Sequence, residues 1–201
     1  ETYMTTFHDL GLPGDILATL DDIGFTTPTP IQEQAIPVAL AGHDILGSAQ
    51  TGTGKTAAFV LPMIKHLTEN PASTALILLP TRELAQQVQD SCRLMLGRRA
   101  AIKSALLIGG AGMSAQLREL KQSPRVIIGT PGRINDHLVR RSLSLKDTDF
   151  LVLDETDRML DMGFGIQLDQ IVKFLPKERQ TLMFSATLPA NILNLARKYQ
   201  K

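Results

Sequence analysis

Residues 44–56 read Asp-Ile-Leu-Gly-Ser-Ala-Gln-Thr-Gly-Thr-Gly-Lys-Thr, and apolar residues at helical spacing continue to Leu67. A short apolar strand, a glycine-rich loop and a helix in this order are typical of a loop that holds phosphate groups. Gly52 and Gly54 allow the backbone to approach the phosphates and to turn its N–H groups toward them. Ala49 stands where the strict pattern has glycine, and a small residue suffices there. The alternative is a glycine-rich turn with a solvated lysine, which the flanking strand and helix disfavour.

The loop carries the groups that a nucleoside triphosphate and its Mg²⁺ ion need. Lys55 can reach the β- and γ-phosphates, and the hydroxyl of Thr56 can bind the metal. The helix that follows directs the positive end of its dipole toward the phosphates. We therefore expect the nucleotide to contact Ala49, Gln50, Thr51, Gly52, Thr53, Gly54, Lys55 and Thr56.

Short apolar runs alternate with helical patterns along the chain. The runs occupy residues 45–46, 75–79, 104–108, 126–128, 150–153 and 181–184. The helical patterns occupy residues 31–40, 55–67, 82–96, 113–121, 132–140, 165–174 and 190–199. Runs that are apolar throughout indicate strands buried on both faces. The sequence therefore predicts an α/β fold with a central, mainly parallel sheet and helices on both faces.

Length and composition bound the class of protein. A chain of 201 residues can bury a substantial core without disulfides or metals, and the single cysteine, Cys92, excludes an internal disulfide. The net charge of +1 means that nucleic-acid binding would need a local basic patch. No apolar run approaches the ~18 residues of a membrane span, so we expect a soluble, cytoplasmic domain without membrane contact. We also expect the isolated domain to be monomeric. Met4 resembles an initiator, so residues 1–3 are expected to be a cloning remnant.

Polar residues follow the predicted strands, in the segments 49–56, 80–85, 109–110, 130–133, 154–157 and 185–187. Because parallel strands end at the same edge of a sheet, these segments should meet at one ligand site. Asp154 and Glu155 end an apolar strand, where carboxylates need partners. Beside a phosphate loop, Asp154 would hold Mg²⁺ through water and Glu155 would deprotonate the attacking water. The alternative is an acidic helix N-terminus, which the phosphate loop disfavours.

Two arginines also stand at predicted helix starts. Arg82 and Arg133, preceded by Thr81 and Thr130, could grip a phosphodiester backbone without reading bases. Helix capping with a surface salt bridge explains these residues about equally well.

Three further polar residues allow more than one interpretation. Ser185 and Thr187 could hydrogen-bond Asp157 and so link the nucleotide site to another surface, but residue chemistry alone favours a turn that caps the helix after Pro189. The amide of Gln32 could pair with adenine while Phe25 stacks on its ring.

For Gln32 and Phe25 the alternative is a helix N-terminus opened by Pro30, with Phe25 as its hydrophobic staple. Cys92 shares an apolar helix face and is expected in the core. The histidines, His8, His43, His66 and His137, have no metal-ligand spacing.

Taken together, these residues resemble one family, the DEAD-box RNA helicases. The resemblance runs from Phe7 to about Lys201, with a Q motif at 24–32 followed by AQTGTGKT, PTRELA, a GG pair, TPGR, a DExD box and SAT in family order. Any one of these is a modest signal, whereas the ordered set is highly specific. The resemblance implies a RecA-like three-layer sandwich over residues 4–199, with an interdomain linker starting at 200–201.

The resemblance also implies roles for individual residues. Lys55, Asp154 and Glu155 would be catalytic, and Thr56 and Asp154 would hold Mg²⁺. Gln32 and Phe25 would recognise the adenine of ATP or ADP, with Phe7 supporting the Q motif. RNA-backbone contacts would come from Pro80, Thr81, Arg82, Gly110, Thr130, Pro131, Gly132 and Arg133. Ser185 and Thr187, with Asp157 as their partner, would couple ATP hydrolysis to strand separation.

This chain departs from the family pattern at two points. The box reads Asp-Glu-Thr-Asp, so Thr156 stands where the family name has alanine, and its hydroxyl must find a partner if it is buried. The second RecA-like domain, which brings arginines to the γ-phosphate, is absent from the sequence. We therefore expect nucleotide binding, weak RNA binding and negligible ATP turnover. The alternatives are a DNA-translocating helicase and an RNA clamp whose hydrolysis is incidental.

Overall fold

The computed structural model describes residues 5–50, 54–99 and 101–201. Its centre is a six-stranded sheet. The strands are β1 (Ile45–Ser48), β2 (Thr74–Leu78), β3 (Ser104–Leu107), β4 (Val126–Gly129), β5 (Thr148–Leu153) and β6 (Gln180–Ser185). Their order in space is β1-β6-β5-β2-β4-β3, and each pairing between neighbours is parallel. The predicted parallel α/β sheet is confirmed.

Helices connect the strands and cover both faces of the sheet. They are α1 (Gly14–Asp22), α2 (Pro30–Leu40), α3 (Lys55–Glu69), α4 (Arg82–Leu96), α5 (Met113–Leu120), α6 (Pro131–Val139), α7 (Thr156–Asp161), α8 (Gly165–Val172) and α9 (Ala190–Tyr199). A short 3-10 turn at Phe7–Asp9 precedes them. None of the helices in the described part of the chain is long and apolar enough to cross a membrane.

The sequence did not predict α1 and α7. In α1 only Ile16 and Leu20 are buried, so its apolar pattern is too sparse to stand out. Helix α7 has 6 residues, less than two turns, and cannot show a helical period. It begins immediately after Glu155, one of the predicted catalytic residues.

Alternate residues of each strand enter different cores, which explains why the strands are apolar throughout. On β5, Phe150 and Val152 join the core that includes Phe59 and Phe184. The intervening residues of β5, such as Leu151, join a second core on the other face. Thus the central strands are positioned by packing on both sides, and so are the polar loops at their ends.

The lone cysteine lies in the first core. Cys92 is fully buried, and its burial raises the pKa of the thiol to about 12. The thiolate is therefore a negligible species near neutral pH, and the prediction of a core residue is confirmed.

Candidate functional site

The carboxyl edge of the sheet brings together residues that the sequence keeps far apart. The phosphate loop follows β1, the Asp154–Asp157 segment follows β5, and the Ser185–Thr187 segment follows β6. Because β6 lies between β1 and β5, these three segments are neighbours. Residues Thr51, Gly52 and Thr53 of the loop lie outside the described part of the chain.

A buried lysine–carboxylate pair forms the centre of this site. Lys55 is the first residue of α3, and its Nζ lies 3.1 Å from Oδ1 of Asp154 and 3.9 Å from Oε2 of Glu155. Lys55 is 6% exposed and Asp154 is 2% exposed. An ion pair removed from water in this way is costly to assemble and is weak evidence for a purely stabilising role. The position of the pair at the predicted phosphate loop instead favours a role in binding a nucleotide and its metal ion.

Burial raises the pKa of Asp154, and the nearby charge and hydrogen bond of Lys55 oppose this effect. The charged carboxylate therefore depends on a cationic neighbour. A lysine and a divalent cation can both supply that charge, so Asp154 fits the predicted role of holding Mg²⁺. Thr56, the second residue of α3, offers a hydroxyl at the same helix start.

The backbone at Glu155 adopts an unusual conformation. Its φ of 50° and ψ of 51° lie in the left-handed region, which residues other than glycine rarely occupy. This turn ends β5 and starts α7, and Arg158 Nη1 lies 3.8 Å from Oε1 of Glu155. Strained backbone of this kind clusters at functional sites, where the surroundings enforce it.

Gln32 ties the start of α2 to the phosphate loop. Its Oε1 accepts a hydrogen bond from the Thr29 N–H (2.9 Å), and its Nε2 donates to the Gly54 carbonyl (2.7 Å). The first bond caps the start of α2, which begins at Pro30 as the alternative interpretation proposed. The second bond, which sequence reasoning missed, connects the Q motif to the loop. Each end of the amide keeps capacity for one more hydrogen bond, so adenine recognition by Gln32 stays a prediction.

The loop leaves room beside Gln32 that only glycine preserves. Gly54 has a φ of +77°, and a Cβ there would lie 2.7 Å from Nε2 of Gln32. The buried Oγ1 of Thr29 has no hydrogen-bond partner among the residues that the structure describes. A cradle that a Cβ would fill, next to an unsatisfied hydroxyl and a buried lysine, fits a phosphate-bearing ligand. The Thr-x-x-Gln spacing was the available signal for Thr29.

Phe25 stacks on another aromatic ring of the chain. The ring centroids of Phe25 and Phe7 are 6.3 Å apart, with an angle of 27° between the planes. Pro28, not Phe25, precedes the N-cap Thr29, so the hydrophobic-staple interpretation is wrong. Phe7 is buried and Phe25 is only partly so. This arrangement supports the prediction that Phe7 braces a ring available to the nucleotide.

Asp157 is bonded to the segment after β6. Its Oδ2 accepts hydrogen bonds from the Thr187 hydroxyl (2.8 Å) and backbone N–H (3.1 Å), and its own N–H donates to Ser185 Oγ (3.3 Å). Ser185 Oγ in turn donates to the Thr187 carbonyl (2.6 Å). Helix α9 starts after Pro189 without a side-chain cap, so the capping interpretation favoured on residue chemistry alone is wrong.

Thr156 adds a second link between the same two segments. The residue is fully buried, and its hydroxyl lies 3.2 Å from the Leu153 carbonyl and 3.0 Å from the Phe184 carbonyl. The hydroxyl that departs from the family name is therefore satisfied, as burial requires.

The predicted RNA-contact residues form a second group at the same edge of the sheet. Arg82 lies over Gly110: its Nη1 donates to the Gly109 carbonyl (3.3 Å), and a Cβ on Gly110 would lie 2.0 Å from that nitrogen. Thr81 caps α4 by accepting from the Leu84 N–H (3.3 Å). The other members, Pro80, Thr130, Pro131 and Gly132, lie at the ends of β2 and β4 or at the start of α6.

Arg133 is held by neighbours within the protein. Its Nη1 donates to the Ala111 carbonyl (3.2 Å) and to Gln116 Oε1 (3.3 Å), and its Nε lies 3.6 Å from Oδ2 of Asp136. The alternative interpretation is thus present in part: Thr81 caps α4 and Arg133 pairs with Asp136, whereas Thr130 makes no side-chain cap at the start of α6. These contacts leave RNA contact by Arg82 and Arg133 as a prediction.

A family model described as DEAD/DEAH box helicase matches residues 29–195. The chain belongs to the DEAD/DEAH box helicase family. A solved structure titled as a DEAD box protein from the hyperthermophile Methanococcus jannaschii superimposes with a TM-score of 0.92 at 43% identity. The match covers 98% of this chain and 54% of that chain. The RecA-like sandwich expected from the motifs is therefore present.

Curated DEAD-box relatives are similar over nearly the whole chain. The ATP-dependent rRNA helicase rrp-3 of Neurospora crassa is 47% identical over 98% of this chain and 38% of its own length. The ATP-dependent RNA helicase DeaD of Haemophilus influenzae is 46% identical over 96% of this chain and 32% of its own length. The chain thus spans about a third to two fifths of these relatives.

Proposed function

We propose that this chain is the ATP-binding half of an ATP-dependent RNA helicase, which hydrolyses ATP and locally unwinds or remodels RNA. The observation that carries this proposal is the buried Lys55–Asp154 pair at the phosphate loop, 3.1 Å apart. Two hydrogen-bonded links join the same carboxylate segment to β6 and to the loop after it: Thr156 bonds the Phe184 carbonyl, and Asp157 accepts from Thr187. A nucleotide-dependent change at Asp154 would therefore be felt at β6.

The nucleotide-binding residues have separate tasks. Lys55 would donate hydrogen bonds to the β- and γ-phosphates. Its ammonium group has three donors, which it can divide between the phosphates and Asp154. Thr56 and Asp154 would hold Mg²⁺, which supplies positive charge against the phosphates during transfer. Gln32 would sense the adenine through one edge of its amide while its bond to Gly54 keeps the loop in place.

Glu155 is the proposed general base. It follows Asp154 just beyond the end of β5, where its backbone is in the left-handed region, and its Oε2 lies 3.9 Å from Lys55 Nζ. A carboxylate in this position can orient and deprotonate the attacking water while Asp154 serves the metal. Asp157, Ser185 and Thr187 would transmit the outcome to the bound strand.

RNA and a second RecA-like domain are the proposed partners. Arg82, Gly110 and Arg133 would contact the phosphodiester backbone and carry no base code. Arginines from the second domain would complete the ATP site, and such residues are worth about 10³–10⁵ in turnover. We propose that the chain alone is a monomer, acts in the cytoplasm and hydrolyses ATP negligibly.

Steady-state ATP hydrolysis tests this function. The rate is measured with and without single-stranded RNA, before and after addition of a second RecA-like domain supplied in trans or fused to the chain. We expect turnover only when both are present, and loss of it in Glu155→Gln. RNA-stimulated turnover by the chain alone would contradict the half-enzyme proposal. Turnover that needs DNA would favour a DNA translocase, and nucleotide-dependent RNA retention without unwinding would favour a clamp.

A further inference from the structure

Two polar side chains outside the recognised motifs are deeply buried next to the proposed RNA surface. Gln116 on α5 is 3% exposed, and His137 on α6 is 0% exposed. Burying an amide and an imidazole is unfavourable unless each polar atom is hydrogen-bonded. No step of ATP binding or hydrolysis proposed above uses either residue. ATP binding and hydrolysis therefore do not explain why these two polar side chains are buried.

The two side chains bond directly to one another. His137 Nε2 lies 2.7 Å from Gln116 Oε1, and Gln116 Nε2 donates to the Ile108 carbonyl at 2.8 Å. The second bond fixes the amide orientation, because a carbonyl accepts only from the NH₂ group. Since Gln116 Oε1 can only accept, His137 Nε2 must carry the hydrogen.

The other ring nitrogen completes the assignment. Burial, and next the charge of Arg133, lowers the pKa of His137, so the ring is neutral near pH 7. A neutral ring protonated on Nε2 accepts at Nδ1, where Ser142 Oγ lies at 2.8 Å. The Ser142 hydroxyl donates its single hydrogen to Nδ1, which has none of its own, while the His137 carbonyl 3.1 Å away is a second acceptor for it. The chain Ser142, His137, Gln116, Ile108 carbonyl is a directed series of donors and acceptors.

The series ends at the two places that the proposed function assigns to RNA. The Ile108 carbonyl immediately precedes Gly109 and Gly110, the turn on which Arg82 rests. Gln116 Oε1 also accepts from Arg133 Nη1 (3.3 Å), which donates to the Ala111 carbonyl as well. One amide thus holds the glycine turn with its NH₂ group and the guanidinium with its oxygen.

We propose that Gln116 and His137 are positioning residues that fix the Gly109–Gly110 turn and the Arg133 guanidinium for a phosphodiester backbone. The proposal rests on the proposed function, in which Gly110 and Arg133 meet RNA. In this proposal neither Gln116 nor His137 would itself contact the RNA. Holding the loop and the arginine in advance reduces the ordering that RNA would otherwise impose, which strengthens binding without adding a contact.

Variants of this pair separate the proposal from simple packing. Gln116→Leu removes both functions of the amide, whereas Gln116→Glu keeps the acceptor for His137 and Arg133 but not the donor to Ile108. His137→Phe keeps a planar aromatic ring but removes the bonds to Gln116 and Ser142. Gln122→Leu, at an exposed glutamine just beyond α5, is the matched control.

Three measurements are made on each folded variant at low salt. They are RNA affinity by anisotropy of a labelled oligouridylate, affinity for a fluorescent ADP analogue, and amide hydrogen exchange at Gly109, Gly110 and Ala111. We expect Gln116→Leu to weaken RNA binding roughly tenfold, as loss of a charge-assisted hydrogen bond would, and to speed exchange at the turn. ADP affinity and the Gln122→Leu control should stay within about twofold of the unmodified chain.

Different failures have different meanings. A folded Gln116→Leu variant with unchanged exchange at Gly110 and unchanged RNA affinity overturns the positioning role. An unmodified chain that binds no RNA at low salt overturns the proposed function, and exchange at the turn then decides the positioning role alone. If Gln116→Leu does not fold, Gln116→Glu tests the donor to the Ile108 carbonyl through exchange at Gly109 and Gly110, and His137→Phe tests the bond that orients the amide. A double variant much weaker than either single one would show two separate effects instead of one network.

Discussion

At the scale of single residues, burial decides which polar groups matter. Lys55 and Asp154 form a pair with 7% and 2% of their side chains exposed, whereas Lys65 and Glu69 form a surface pair on the same helix, α3. The sequence motif identifies Lys55 as a phosphate ligand but does not show that its side chain is buried. Because Lys55 is buried against Asp154, removal of its side chain should affect both the stability of the fold and nucleotide binding.

We predict that Lys55→Ala abolishes detectable ADP binding and lowers the free energy of unfolding by about 3–5 kcal/mol, because Asp154 is left buried and unpaired. Urea denaturation and nucleotide titration measure the two effects. Lys65→Ala is the control, with a change of about 1 kcal/mol or less. Adding Asp154→Asn to Lys55→Ala should recover part of the stability but none of the binding. Stability of Lys55→Ala equal to that of Lys65→Ala would contradict the prediction.

Thr156 offers a second test at this scale. Thr156→Val keeps the shape but leaves the Leu153 and Phe184 carbonyls without the hydroxyl, so we expect a loss of about 1–3 kcal/mol in unfolding free energy. Thr156→Ser should keep most of the stability. Thr68→Val, whose hydroxyl bonds its own helix at an exposed position, should change stability by less than about 0.5 kcal/mol. Equal effects of the two valine variants would refute the bridging role.

At the scale of elements, the start of α7 is fastened to the end of β6. Asp157 is the third residue of the Glu155-Thr156-Asp157 segment, and it bonds the segment that carries Thr187. Burial alone would raise the pKa of Asp157, but hydrogen bonds from the Thr187 hydroxyl and from backbone N–H groups of Arg158 and Thr187 lower it overall. The charged form is therefore the one that holds α7 to β6.

We predict that Asp157→Asn destabilises the domain at neutral pH and that this difference shrinks in acid. A folded-state pKa below the ordinary 3.8 contributes stability above that value, and this stability is lost as the pH falls through the folded-state pKa. Urea denaturation of both proteins at neutral pH and near pH 3.5 measures the difference. In a protein that carries both RecA-like domains in one chain, Asp157→Asn should also reduce the rate of RNA unwinding more than the rate of ATP hydrolysis. The reason is that Asp157 is proposed to couple the two. A stability difference that grows in acid would show that the bonds do not depend on the charge.

At the scale of the whole molecule, charge limits what the chain can bind. A net charge of +1 supplies little long-range attraction for a polyanion. Arg82 and Arg133 both lie at the carboxyl edge of the sheet, so the attraction that we propose for RNA would be local to that edge.

We predict that the isolated chain binds single-stranded RNA with a Kd weaker than about 1 μM at physiological salt. The logarithm of the affinity should fall with the logarithm of salt concentration with a slope of about −0.7 per phosphate neutralised. Anisotropy across a salt series gives both values. Arg82→Ala should make the slope less negative by up to about 0.7, whereas the exposed Arg118→Ala on α5 should leave it unchanged. Tight binding at physiological salt would mean that the site is complete in this chain.

The sequence by itself determined the parallel sheet, the order of its six strands and of every helix except α1 and α7, and the strand ends at which the polar segments lie. These features are local: apolar runs, helical spacing and glycine-rich turns act over a few residues. The tertiary structure decided which loops meet. Thr156 reaches a carbonyl 28 residues away because β6 lies beside β5, and Gln116 of α5 meets His137 of α6 next to the turn after β3. Such pairs depend on the order of the strands in space, and no local pattern along the chain encodes that order.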